Sequence, residues 1–64
     1  MKSFLFYPYL ENGTALMFEA RDLPDVDAAA AFAMVLLGEH QTAELVEVWD
    51  GDTLHHTARR SPPL

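Results

Sequence analysis

Residues 23–37 read Leu-Pro-Asp-Val-Asp-Ala-Ala-Ala-Ala-Phe-Ala-Met-Val-Leu-Leu, and their reading decides the fold. They predict a helix. Leu23 precedes a proline and is therefore pushed out of the α region. Pro24 suits the first helical turn, where its missing N–H costs nothing. Asp25 and Asp27 fall in that turn, at the positive end of the macrodipole. Gly38 is the expected stop, with His40 placed to hydrogen-bond one of the last carbonyls.

The helix carries more apolar surface than one sheet can cover. At about 100° per residue, Val26, Ala29, Phe32, Ala33, Leu36 and Leu37 gather on one side, which is expected to pack on a sheet. The opposite side holds Asp27, Ala31, Met34, Val35 and Gly38, with Ala28 at its edge. An outward face is normally charged. Ala31, Met34 and Val35 therefore mark a candidate contact surface.

Upstream, residues 3–10 read as a strand rich in aromatics. Phe4, Phe6 and Leu10 share one face, and Leu5, Tyr7 and Tyr9 the other. Pro8 cannot donate to a ladder, so pairing is expected up to Tyr7 with an edge or bulge near Pro8. Glu11-Asn12-Gly13-Thr14 predicts a tight type I′ hairpin, in which both central residues take positive φ. The returning strand is expected over 14–20, with Leu16, Phe18 and Ala20 on one face and Ala15, Met17 and Glu19 on the other. Arg21-Asp22 would then connect it to the helix.

Downstream, residues 43–49 form a third expected strand, in which Val46 and Val48 alternate with Leu45, Glu47 and Trp49. Asp50-Gly51 signals a second hairpin, and residues 52–57 a short fourth strand. A two-residue loop would pair Val48 with Thr53, and a bulged loop would shift that register by one. The order ββαββ gives an α+β fold, a two-layer sandwich with one helix packed on one face of a small antiparallel sheet. The compact domain is expected over 1–58. Residues 59–64, Arg-Arg-Ser-Pro-Pro-Leu, are expected to form a mobile tail, with a short recognition peptide as the lesser alternative.

The uncovered sheet face would show Leu5, Tyr7, Tyr9, Met17, Leu45 or Trp49, depending on register. Trp, Tyr and Met are enriched where proteins meet. Tyr7, Tyr9 and Trp49 are thus a second candidate contact surface, with Trp49 serving either to seal the sheet or to anchor a partner. Size points the same way. A chain of 64 residues buries only about 60% of the surface its unfolded form exposes. Without cysteine it has neither disulfides nor a thiolate zinc site. Association is the usual remaining aid to stability.

The net charge of −6 is unevenly placed. Up to residue 58 all ten acids face only Lys2 and Arg21. Such a body repels phosphate backbones, so nucleic acid is not an expected partner. No apolar run has the length of a membrane span, and the N-terminus lacks a secretory apolar core. A cytoplasmic protein without membrane insertion is expected.

Chemistry is sparse. His55 and His56 are strand neighbours and point to opposite faces, so they do not share a metal. Asp50 and Asp52 flank a glycine turn, which is their ordinary role. Gly13, Gly38 and Gly51 are isolated and form no phosphate loop. No catalytic residue, cofactor or metal is expected.

The aromatic first strand, Asp22-Leu23-Pro24-Asp25 before the helix and Glu47-Val48-Trp49-Asp50-Gly51 in the last hairpin together resemble short alphaproteobacterial proteins of a ββαββ pattern. That resemblance covers most of residues 3–57 and implies a fold but no activity. The ββα order with Leu-Pro is also similar to antitoxin domains of the HicB kind, although their Pro-Gly-Cys-like turn and longer chain are missing here.

The leading expectation is a small acidic protein–protein interaction module, either a homodimer or an accessory subunit of a larger assembly. The alternative is an antitoxin-like or inhibitor protein that blocks a basic site on an enzyme or nuclease. A small enzyme or ligand binder with a pocket between protomers is a third class.

Overall fold

A computed structural model describes residues 1–60. The elements are β1 (Lys2–Leu10), β2 (Glu19–Leu23), α1 (Val26–Glu39), β3 (Ala43–Asp50) and β4 (Thr53–Arg59). The antiparallel sheet has the order β2-β1-β3-β4, and α1 covers one face, so the ββαββ two-layer α+β architecture is as expected.

Period-two alternation decides the core. Phe4, Phe6 and Pro8 of β1, Val46 and Val48 of β3 and Ala58 of β4 are buried beneath the helix. The helix contributes Ala29, Ala33, Leu36 and Leu37, with Val26 and Phe32 packed at the margin. These are the positions its 3.6-residue period selects. The rings of Phe6 and Phe32 meet edge to face at 5.0 Å, and the Arg21 guanidinium closes over Phe32 at 4.5 Å from its centroid. That contact shields the β2 side of the core with a cation–π pair.

Both helix ends depart from expectation. Pro24 stands before the helix and Asp25 is the N-cap, its Oδ1 accepting from Ala28 N at 2.9 Å. A carboxylate there satisfies one of the orphan N–H groups. Gly38 does not stop the helix, which runs on to Glu39 with His40 as C-cap. Its end is held by Arg60 instead. The guanidinium donates to the carbonyls of Leu37, of His40 at 3.0 Å and of Ala43 at 2.9 Å. A cation at the negative end of the helix dipole is favourable, and here it comes from distant sequence.

The hairpins are also corrected. Gly13 N donates to Leu10 O and Leu10 N to Thr14 O, which makes a three-residue loop. Only Gly13, at φ +87°, has positive φ in this loop, so the turn is not type I′. A type I turn followed by a left-handed glycine has this form. Asn12 Oδ1 accepts from Thr14 N at 3.0 Å and braces it.

Beyond the turn, Leu16 N donates to Pro8 O. Pro8 has no N–H with which to return the bond. The ladder with β2 resumes only at Phe6↔Glu19. The second strand is therefore Glu19–Leu23, not 14–20, and Arg21-Asp22 lies inside it. On its other edge β1 stays paired with β3 as far as Leu10, so Pro8 sits buried in a central strand, while the expected irregularity near it is present as a register shift between Tyr9 and Leu10.

In the last hairpin Asp50 pairs with Thr53 across Gly51-Asp52, and Gly51 has φ +63°. A glycine at the first central position marks a type II′ turn. His55 is then an extra residue, because Trp49 pairs with Leu54 but Val48 with His56. Neither expected partner of Val48 is realised. The domain also does not end at residue 58, since Arg59 belongs to β4 and Arg60 N donates to Glu44 O at 2.9 Å. The remaining tail residues, 61–64, lie outside the described residues.

Candidate interaction surface

The face of the sheet away from α1 is apolar and uncovered by the described chain. Alternation places Leu5, Tyr7 and Tyr9 of β1 beside Trp49, Glu47 and Leu45 of β3, as directly opposed pairs. Residues opposed across a ladder point to the same side. Leu54 stands opposite Trp49, Thr57 opposite Glu47 and Arg59 opposite Leu45. Leu5, Tyr7, Tyr9, Leu45 and Trp49 are all half-buried. They shelter one another, yet each keeps surface for a further contact.

Phe18 enlarges this face. Its ring lies 6.1 Å from that of Tyr7, which lies 6.5 Å from that of Tyr9, so three aromatics form a row. Phe18 is 62% exposed. Sequence reasoning named Met17 for this place; the residue that reaches Tyr7 is Phe18. Phe18 alternates with Ala20, and the register of the folded sheet pairs Ala20 with Leu5.

One carboxylate sits at the centre. Glu47 Oε1 accepts from Trp49 Nε1 at 3.1 Å, which pins the indole across the sheet. Trp49 is therefore not a core residue but a half-buried ring on the open face. Tyr9 lies near Glu47 on the same face. Burial first, then the nearby Glu47 carboxylate, push the Tyr9 hydroxyl above the ordinary tyrosine value of 10.0.

The helix surface is smaller. Ala31, Met34 and Val35 are exposed as expected, Met34 at 56% and Val35 at 52%. Exposed Asp27, Gly38 and Glu39 bound this patch. The sheet edges are guarded. β2 has five residues, among them Glu19, Arg21 and Asp22. β4 is bent by the extra His55 and carries Arg59. Short length, charge and bulges are the usual means of discouraging edge-to-edge pairing.

Charged pairs elsewhere are peripheral. Asp50 Oδ2 lies 3.4 Å from Lys2 Nζ and 3.6 Å from His55 Nε2, all at the surface. Such pairs contribute little. Among the described residues there is no pocket and no group of three His, Cys, Asp or Glu able to hold a metal ion. No described helix is long and apolar enough to cross a membrane. Comparison with protein-family models, curated proteins and solved structures finds no match.

Proposed function

We propose that this chain is a small acidic protein–protein interaction module that works through its open sheet face, foremost as a homodimer and otherwise as an accessory subunit of a larger assembly. The observation that carries the reading is that face, with Tyr7, Tyr9, Phe18 and Trp49 set among Leu5, Leu45 and Leu54. An antiparallel sheet facing water normally alternates to polar residues there. The same reading keeps the protein in the cytoplasm, away from nucleic acid and outside the membrane.

The face is modest in size. Four strands at ~4.8 Å and about five residues at ~3.3 Å give roughly 300 Å² in plan. A standard interface takes about 800 Å² per partner. Side-chain relief narrows that gap, so association in the micromolar range is expected, and the test must reach high concentration.

The test is solution mass by light scattering over a concentration series, for the native chain and for Trp49→Glu. A mass that doubles with concentration in the first and stays monomeric in the second supports the reading. A native monomer at every concentration counts against the homodimer.

The acidic balance favours a second reading, an antitoxin-like or inhibitor protein set against a basic site. Ten acids to four bases is an unusual excess for so short a chain. Binding of that kind weakens steeply as salt rises, whereas docking of apolar faces does not.

A further inference from the structure

Resting on that reading, we infer that the open face is completed by a second copy of this chain, held in register by reciprocal pairs between Glu47 of each protomer and Arg59 of the other. Three charged residues stand on the face: Asp22 at the β2 edge, Glu47 at the centre and Arg59 at the β4 edge. Alternation fixes the side of Arg59, because its neighbours Ala58 and Arg60 pack on the helix side. Among the described residues neither Glu47 nor Arg59 meets an opposite charge within ion-pair distance. Arg21 and Lys2 already have acidic partners, Glu19 and Asp50.

Glu47 bears on which partner fits. A carboxylate ringed by Tyr7, Tyr9, Leu45 and Trp49 loses water when anything apolar docks over it, and needs a cation in exchange. Two copies stacked with Glu47 on Glu47 would repel. The chain itself carries the cure. Glu47 and Arg59 are diagonal neighbours on adjacent strands, about 7–8 Å apart along the sheet. A two-fold axis lying between two such faces, midway between these residues, sets each Glu47 against the Arg59 of the other copy. Isologous contacts have this form, with residue i on j and j on i. Packed sheets lie about 10 Å apart, a gap that glutamate and arginine side chains together span. The pairing also removes one alternative register, since a shifted stack leaves both carboxylates buried without a cation.

The experiment uses two charge reversals, E47R and R59E, each followed by light scattering and by fluorescence of the single tryptophan. Circular dichroism confirms that each variant keeps its fold. Each variant alone should dimerise at least about ten-fold more weakly than the native chain, because like charges then oppose across the axis. Mixed one to one, the two variants should form a heterodimer with an affinity within about three-fold of native, since the arginine of E47R then meets the glutamate of R59E, and the native Arg59 of one meets the native Glu47 of the other. A contact within one protomer gains nothing from mixing. Weakened single variants without recovery on mixing overturn the inference while leaving the open face as the contact. Native association that both reversals leave unchanged overturns the pairing and also moves the contact off the open face. A native chain that never dimerises removes the underlying reading as well. Should either variant fail to fold, E47Q and R59Q give the same test through a double-mutant cycle, in which a coupling near zero overturns the pairing.

Discussion

At the scale of single residues, two side chains carry more than their sequence positions suggest. Arg60 gathers three carbonyls at the end of α1. Arg60→Ala should cost about 1–3 kcal/mol, because a charged donor leaves partly buried acceptors behind. In a chain this short that lowers Tm by about 4–8 °C for each kcal/mol. Arg60→Lys should fall between, since one ammonium cannot reach all three acceptors. Thermal unfolding followed by circular dichroism measures both. Tyr9 is the second. Its raised pKa means that the folded state holds the phenolic proton more tightly than the unfolded chain. The stability it contributes is complete below the unfolded value near 10 and is lost as pH rises through the folded value. Ultraviolet titration should find the Tyr9 hydroxyl ionising late, and Glu47→Gln should reverse part of the shift, since burial, its first cause, remains.

At the scale of elements, the glycines separate helix from turn. Gly38 lies inside α1, and a Cβ added there would meet nothing within 4 Å. Gly38→Ala should therefore stabilise the protein by about 0.5–1 kcal/mol through backbone entropy. Gly13 has equal space but φ +87°. Gly13→Ala should destabilise by about 1–2 kcal/mol, because Cβ opposes the left-handed conformation. Urea unfolding of the two variants should move in opposite directions. If Gly38 were the helix stop, both would be destabilised. The Pro8 irregularity belongs to this scale too. One absent N–H ends the regular ladder and frees residues 16–18, and so sets Phe18 beside Tyr7.

At the scale of the whole molecule, the balance of surfaces decides how the protein works. It presents two apolar regions on opposite sides, and the sheet face is the larger and the richer in aromatic rings. Val35→Glu should leave the concentration dependence of the mass unchanged, whereas Trp49→Glu should abolish it. Loss of association in the first variant and retention in the second would move the contact to Ala31, Met34 and Val35. The emission of Trp49 gives an independent reading and should shift to the blue as protomers meet and its ring leaves water.

The amino-acid sequence by itself determined the order of elements and the two sides of β1, α1 and β3. Both follow from local periods, 3.6 in α1 and two in the strands, which select the same core whatever the exact pairing. It also named Tyr7, Tyr9 and Trp49 for the open face and Met34 and Val35 for the helix surface. Only the tertiary structure decided the register, the extra residue at His55, the choice of Phe18 over Met17 and the role of Arg60. Each of these depends on a backbone group left unpaired at one place and on the distant residue able to answer it. Pro8 removes one donor, and the regular ladder with β2 begins only at Glu19. The helix ends with open carbonyls, and the answering guanidinium is some twenty residues further along the chain. No local pattern records which of several distant groups will arrive there.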